Sequence, residues 1–314
     1  MTGVDRHIIK SIDKCRLEEK FMDGGVLRKP EYQTKHLGID EFSLHKGHSY
    51  AVQFMDLERG HVLFVIKGKT KDVVYKFIEH VGLTWMAGVE AVFCDMNADF
   101  PRAFLEKCPH LEIVYDRFHL VKNFNTMVLT EVRKDVQREL QKNNDPEAAK
   151  ALKGSKYIIL SNRSTLQELD RKAKERRSNN TKAGEDVPEV EKKKSLEERY
   201  DEIIALNELF FMGDYLKNML TVAYQQTDRD VMEADIREII AVCHATENKH
   251  FLRFAGLLER HLSGITSHAV YPGTSGKVEG MNNKIKTIRR RSYGLSDTAF
   301  FFLKIMDASR RRSA

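Results

Sequence analysis

Two aspartates sit where a carboxylate is costly to keep. Asp40 falls inside the apolar stretch LGIDEF, and Asp95 lies at the end of VFCDMN. An ionised side chain beside buried strands must be paired, hydrogen-bonded or bound to a metal, or it takes up a proton. Taken singly, each could cap a turn or pair with a nearby lysine or arginine. Taken together, a central first strand and the carboxyl end of a strand beside it can bring both groups to one sheet edge, where open α/β sheets hold their ligands. A third acid, Glu279, heads the segment GKVEGMNNKIKTIRRRSYG at 276–294. Three carboxylates form an oxygen cage suited to Mg²⁺ or Mn²⁺. Two such ions about 4 Å apart activate an attacking hydroxyl or water and stabilise the leaving oxygen of an in-line phosphoryl displacement. No Ser, Cys or Tyr nucleophile is then required.

The residues behind Glu279 supply the other half of that chemistry. Lys284, Lys286, Arg289, Arg290 and Arg291 follow with no second acid among them, whereas a plain solvated helix mixes the signs to make i,i+4 pairs. At i+4, i+7 and i+11 from Glu279, the residues Asn283, Lys286 and Arg290 share its helical face. Asn283 could orient a water or a phosphate, and Lys286 and Arg290 could bind the backbone on either side of a scissile phosphate. Lys284, Arg289 and Arg291 point elsewhere and suit flanking DNA. The blander alternative is an exposed basic helix with no target.

These groups need a scaffold, and the chain is long enough to provide one. It has 314 residues, 41% hydrophobic and 31% charged, which excludes a wholly disordered chain. The net charge of +6 permits a polyanionic partner without requiring one. Cys15, Cys94, Cys108 and Cys243 lie far apart without a CxxC pair, which disfavours a zinc knuckle or disulfide framework and suits a reducing compartment. No apolar run approaches the ~20 residues of a membrane span, so the chain reads as cytoplasmic with no membrane partner.

Hydrophobic alternation predicts three antiparallel strands from about 36 to 67, a helix ending at Gly82, a short buried strand at VEAVFCD, a helix with Pro101 in its first turn, and a last strand at LEIVYD. The order strand-strand-strand-helix-strand-helix-strand is an α/β plan with a mixed sheet. After Asp116 the strands stop, and 117–145 reads as one long helix. The organisation expected is an N-terminal remnant or linker at 1–35, a first α/β part at 36–118, a helical insertion at 119–270, and a returning helix with its tail at 271–314. Within the insertion, the charged stretch at about 168–198 lacks large apolar side chains and reads as a mobile loop or solvated hairpin. Trp85 reads as a packing lid after a helix end, and the apolar cluster at 300–303 as packing under the sheet.

Three blocks, LGIDEFSLHKGHSYAVQFMDLERGHVL, CDMNADFPRAFLEKCPHLEIVYDRFHLVKNFN and GKVEGMNNKIKTIRRRSYGL, closely resemble those of the ISL-three family of bacterial insertion-sequence transposases. The resemblance runs from about Leu37 to the C-terminus. It implies an RNase H-like DDE fold interrupted by an all-helical insertion and completed by a C-terminal helix. It implies catalytic and metal-binding roles for Asp40, Asp95 and Glu279, with Mg²⁺ or Mn²⁺, two ions, as cofactor. The implied reaction is cleavage at transposon ends and transfer of the 3′ hydroxyl into target DNA, by a homo-oligomer in the active complex. The DRFH block at 116–119 is implied as well: His119 could contact the scissile strand or brace the site, or Asp116 and His119 could form a helix-capping pair. The family usually carries an N-terminal zinc-binding and helix-turn-helix region, and no Cys/His ligand spacing precedes Asp40 here. The chain therefore reads as a catalytic portion without its DNA-reading half, with two alternatives beside transposition: an inactive remnant that binds DNA non-specifically, or a structure-selective nuclease.

Overall fold

The segment at 1–35, expected as a remnant or linker, contributes to the core. In the computed structural model, which describes residues 6–44, 49–96, 99–145, 148–149, 152, 154–182, 194–273, 276–291 and 297–311, helix α1 (Arg6–Phe21) runs into a small hairpin, β1 (Met22–Asp23) and β2 (Val26–Leu27). Leu17 and Phe21 are buried in the same apolar cluster as the C-terminal helices. The expectation failed because only two large apolar side chains anchor α1, and its polar face is held by ion pairs to residues nearly 300 positions away.

Three alternating runs form β3 (His36–Ser43), β4 (Tyr50–Asp56) and β5 (His61–Lys67), paired antiparallel in sequence order. Asp56 closes the β4–β5 turn. It is fully buried, and its Oδ1 accepts from Thr34 Oγ1 at 2.8 Å and from the backbone N–H groups of Glu58 and Arg59. Helices α2 (Asp72–Val81) and α3 (Leu83–Met86) lead to β6 (Ala91–Cys94); α4 (Asp99–Lys107) leads to β7 (Glu112–Tyr115). β6 and β7 join β3 in parallel, so the five strands stand in the order β5-β4-β3-β6-β7. This is a mixed α/β sheet, with β3 at its centre.

The two faces of the sheet are covered differently. On one, Phe54 of β4 stacks on Phe77 of α2 with ring centroids 4.2 Å apart and meets Phe104 of α4 edge-on. Trp85 donates to the Tyr32 carbonyl at 3.0 Å and meets Phe77 edge-on, a packing role. On the other, Phe42, Met55, Val62 and Phe93 form one cluster with residues that return at the end of the chain.

The α/β strands and those returning residues make one compact unit, Met1–Arg117 with Ser263–Ala314; Phe118–Leu262 makes another. In the second unit, α5 (Arg117–Phe124) continues through a π turn (Asn125–Leu129) into α6 (Thr130–Lys142), so the long helix expected over 117–145 is helical throughout but locally widened. Next come α7 (Lys156–Leu160) and α8 (Arg163–Lys182). Helix α8 occupies the first half of the charged stretch expected as a loop; residues 183–193 lie outside those described. Helix α9 (Leu196–Leu206) starts with a capping box, Ser195 with Glu198, and supports α8 through Arg163–Asp201 and Gln167–Glu197. A helix with few apolar residues can persist when ion pairs and a packed neighbour hold it. Helices α10 (Glu208–Ala223) and α11 (Arg229–Ala245) follow. The buried Lys217 Nζ of α10 donates to the Ile159 and Ser161 carbonyls, both at 3.0 Å, and so caps α7; burial brings its pKa down to about 8.

Helix α12 (Lys249–Val270) carries the chain back to the first unit. Then α13 (Gly276–Arg291) and α14 (Thr298–Arg310) lie on the second face of the sheet, burying Val278, Met281 and Ile285 from one helix and Phe300, Phe301, Leu303, Ile305 and Met306 from the other. Gly38 permits the close approach of α13 to β3: a Cβ there would lie 2.8 Å from Val278 Cγ2 and 2.7 Å from Leu57 Cδ2. Among the described residues no helix is long and apolar enough to cross a membrane.

Candidate active site

The strand register places the two sheet acids. β3 pairs with β6 as His36 with Ala91, Leu37 with Val92 and Gly38 with Phe93. β6 ends at Cys94, and Asp95 follows it immediately. Side chains alternate along a strand, so Asp40 shares a face with Gly38 and Phe42, the face covered by α13 and α14. Asp40 and Asp95 stand at the carboxyl end of the central parallel pair and line one cavity of about 110 Å³ together with Ile39, Glu41, Lys69, Asp99 and Phe100. Both are half-buried. Burial pushes the neighbouring Cys94 thiol far up in pKa, and the charges of Asp95 and Asp40 push it further. The Tyr115 phenol is raised mainly by burial and then by the Cys94 and Asp95 charges.

Asp40 is gripped from two sides. Its Oδ1 accepts from the Glu41 backbone N–H at 2.8 Å, and its Oδ2 accepts from Asn282 Nδ2 at 2.6 Å. The Asn282 Oδ1 in turn accepts from Gln53 Nε2 at 2.8 Å. Chemistry fixes these amide orientations: a carboxylate only accepts, so Asn282 must present its NH₂ group to Asp40 and its oxygen to Gln53. Gln53 is the β4 partner of Asp40 in register and is wholly buried, and its Oε1 has no hydrogen-bond partner among the described residues. A polar layer thus runs through the helix–sheet interface from β4 through α13 to Asp40.

Glu279 lies on the exposed side of α13 with Asn283, Lys286 and Arg290. It is not among the residues lining the Asp40–Asp95 cavity. It is, however, three residues from Asn282, a spacing that puts Cβ atoms about 5–6 Å apart on a helix. Among the described residues no three His, Cys, Asp or Glu side chains converge closely enough to hold a metal ion.

The basic column divides in two. Lys284 Nζ donates to the Ala308 carbonyl at 2.8 Å and Arg289 donates to the Ser43 carbonyl at 3.0 Å, so these two brace α13 within the fold. Lys286, Arg290 and Arg291 are exposed, with Lys286 Nζ 3.4 Å from Asn283 Oδ1. Asp116 is buried at the residue before α5, the N-cap position, and its charge acts on His268, whose pKa burial lowers. His119 is half-buried in the helical unit.

Sequence reasoning missed Asn282, Gln53, Lys69, Glu41 and Asp99. The signal for Asn282 was available in the tandem asparagines at i+3 and i+4 from Glu279; the second was chosen for sharing the acid's face, while the first reaches the sheet.

The three sequence blocks fall on the elements that build this site. A family model described as a transposase, of the ISL-three DDE type, matches residues 37–305. The chain belongs to the ISL-three transposase family. A curated relative, the transposase for insertion sequence element IS1001 of Bordetella parapertussis, is 30% identical over 307 residues, covering 96% of this chain and 66% of its own length. The chain thus spans just under two thirds of that relative. No solved structure matches it. The family match begins at Leu37 in β3 and ends at Ile305 in α14, so it contains Asp40, Asp95, Glu279 and the helical unit between them.

Proposed function

We propose that this ISL-three family chain acts as a divalent-metal-dependent DNA transposase on an RNase H-like core. Its reaction is strand cleavage at the ends of its element followed by attack of the freed 3′ hydroxyl on target DNA. What supports the reading is that Asp40 and Asp95 line one cavity at the carboxyl end of the central parallel strands, with α13 fastened to Asp40 through Asn282 one turn from Glu279.

The donor set suits a hard cation: the cavity between β3 and β6 is lined by four carboxylates, Asp40, Glu41, Asp95 and Asp99, and carboxylate oxygens are the preferred ligands of Mg²⁺ and Mn²⁺. Asp40 and Asp95 would hold the metal, with Glu279 as the third ligand supplied by α13. Bound there, divalent ions stabilise the charge that develops on the attacking and leaving oxygens of a phosphoryl transfer.

The protein's own groups do the rest. Asn282 orients the Asp40 carboxylate, since its amide holds one oxygen and leaves the charge uncompensated by that contact. Gln53 fixes Asn282, and its buried unsatisfied Oε1 carries a cost of about 1–3 kcal/mol. An interface selected for stability alone would replace such a layer with apolar side chains. Lys286 and Arg290, exposed on the Glu279 side of α13, hold DNA backbone beside the reacting phosphate. Asn283 and Arg291 extend that surface.

The test is a cleavage assay with duplex DNA bearing the element's ends and Mg²⁺ or Mn²⁺, comparing the wild type with Asp40→Asn, Asp95→Asn and Glu279→Gln. Each variant should lose cleavage and keep DNA binding. Cleavage that survives all three substitutions contradicts the assignment, and DNA binding without cleavage in either metal favours the inactive-remnant reading.

A further inference from the structure

A second cavity lies away from the one lined by Asp40 and Asp95. A cavity of about 230 Å³ opens beside β5, between the end of α1, the segment at 28–32 and the last turn of α14. Four cationic side chains, Lys20, Arg28, Lys29 and Arg310, line it against one acid, Glu31.

Arg310 is the informative member. It is half-buried, its guanidinium stacked 4.5 Å from the Phe21 ring centre. Of the five N–H donors of a guanidinium, the described structure uses one, on the Met306 carbonyl at 3.2 Å. Burial bears on the guanidinium enough to lower its pKa, yet arginine does not lose its proton in proteins, so the desolvated charge persists. The charges of Asp307 and Glu31 act on it in part, and an anion held in the cavity that Arg310 lines would accept from its remaining donors. Lys20 is already engaged by Asp307 at 2.7 Å and Arg28 Nε by the Met22 carbonyl at 3.0 Å. Lys29 is exposed at the rim.

The size and position limit the ligand. At ~30 Å³ per water the cavity has room for roughly eight waters, enough for a phosphate group and part of a sugar. Leu63 of β5 forms its floor, and β5 stands two strands from β3, about 10 Å at sheet spacing. Lys284 of the basic helix α13 bonds to Ala308, two residues before Arg310, so the basic helix and the cavity meet at the end of α14.

We infer that this cavity is a phosphodiester-binding site, in which Arg310 and Lys29 hold a backbone phosphate of the DNA a few nucleotides from the strand engaged at Asp40. The inference rests on the reading of the chain as a DNA-processing enzyme, but it concerns a separate site. The contact is to the backbone, so it is independent of sequence and depends on salt.

The experiment measures equilibrium binding of a short DNA duplex across a range of salt concentrations, using the full chain, Arg310→Gln and Lys29→Gln. The salt slope should fall by roughly 1 from wild type in Arg310→Gln and in Lys29→Gln, with equal loss on any duplex sequence. Lys29→Gln keeps the test sound if Arg310→Gln unfolds, because Lys29 is exposed. Unchanged slopes in both cavity variants, with wild-type binding intact, overturn the inference and leave the transposase reading standing. No DNA binding by the wild type overturns both. A thermal-shift titration with inorganic phosphate forms the second arm: saturable stabilisation of the wild type that is lost in Lys29→Gln, with unchanged DNA slopes, identifies free phosphate as the ligand and overturns the DNA assignment.

Discussion

Helices α13 and α14 pack on the same face of the sheet and contribute to one apolar cluster, yet each sends a different polar group inward. From α14 comes Asp307, 3% exposed, whose carboxylate is paired with Lys20 at 2.7 Å, Arg311 at 2.6 Å and Arg16 at 3.3 Å. Those cations outweigh burial and hold its pKa down to about 2. From α13 comes Asn282, a neutral amide that reaches the carboxylate of Asp40. The first arrangement compensates a buried charge and ties α1 to the end of the chain. The second fixes a carboxylate in place without bringing a counter-charge to it. Asp307 lies deeper than the half-buried Asp40, and three cationic side chains meet it, whereas the contact that α13 makes to Asp40 is a neutral amide.

The largest effects are expected at the sheet. Asp40→Asn or Asp95→Asn should reduce metal-dependent cleavage by about 10³-fold, the equivalent of several kcal/mol of charge stabilisation, with little change in thermal stability. Asn282→Ala should lower activity or metal affinity by about 10–100-fold, the usual effect of removing a group that orients a ligand. Its signature is a raised metal requirement, measured as the Mn²⁺ concentration for half-maximal cleavage. Loss of fold without that shift would put Asn282 in the same class as Asp307.

Asp307 should behave oppositely. Asp307→Asn should cost about 1–2 kcal/mol of stability, discounted because its partner cations are partly exposed, while DNA binding per folded molecule stays unchanged. The sign follows from a depressed folded pKa: the stabilisation is present above the ordinary carboxylate range and is lost as pH falls from about 4 through about 2. Denaturant melts of wild type and Asp307→Asn should therefore converge at low pH. The smallest effect belongs to the outer face of α13. Lys286→Ala and Arg290→Ala should each reduce the salt slope of DNA binding by roughly 1, equally across sequences.

The core strands were legible because their alternation is regular and their turns are marked, as in DLERG at 56–60, where Gly60 has φ of +77°. Asp40 and Asp95 were legible for the opposite reason, as acids set in apolar runs. The docking of α1 was not, because it depends on ion pairs to Asp297 and Asp307 across the length of the chain. Helix α8 was misread because its support comes from α9 rather than from an apolar stripe of its own. Within α13, helical periodicity placed Glu279, Asn283, Lys286 and Arg290 on one face, but it could not reveal that Asn282 meets Asp40 or that Lys284 and Arg289 are engaged by backbone carbonyls. Those contacts depend on where the helix sits on the sheet, which Gly38 and Val278 decide.

In the proposed function, Asp40, Asp95 and Glu279 share a divalent cation. Calorimetric titration of Mn²⁺ into the full chain, repeated for Asp40→Asn, Asp95→Asn and Glu279→Gln, tests this without relying on turnover. The wild type should bind Mn²⁺ saturably, and each substitution should weaken that binding by about tenfold or more. Undiminished Mn²⁺ affinity in Glu279→Gln would contradict it, leaving Glu279 as a surface acid on a DNA-facing helix.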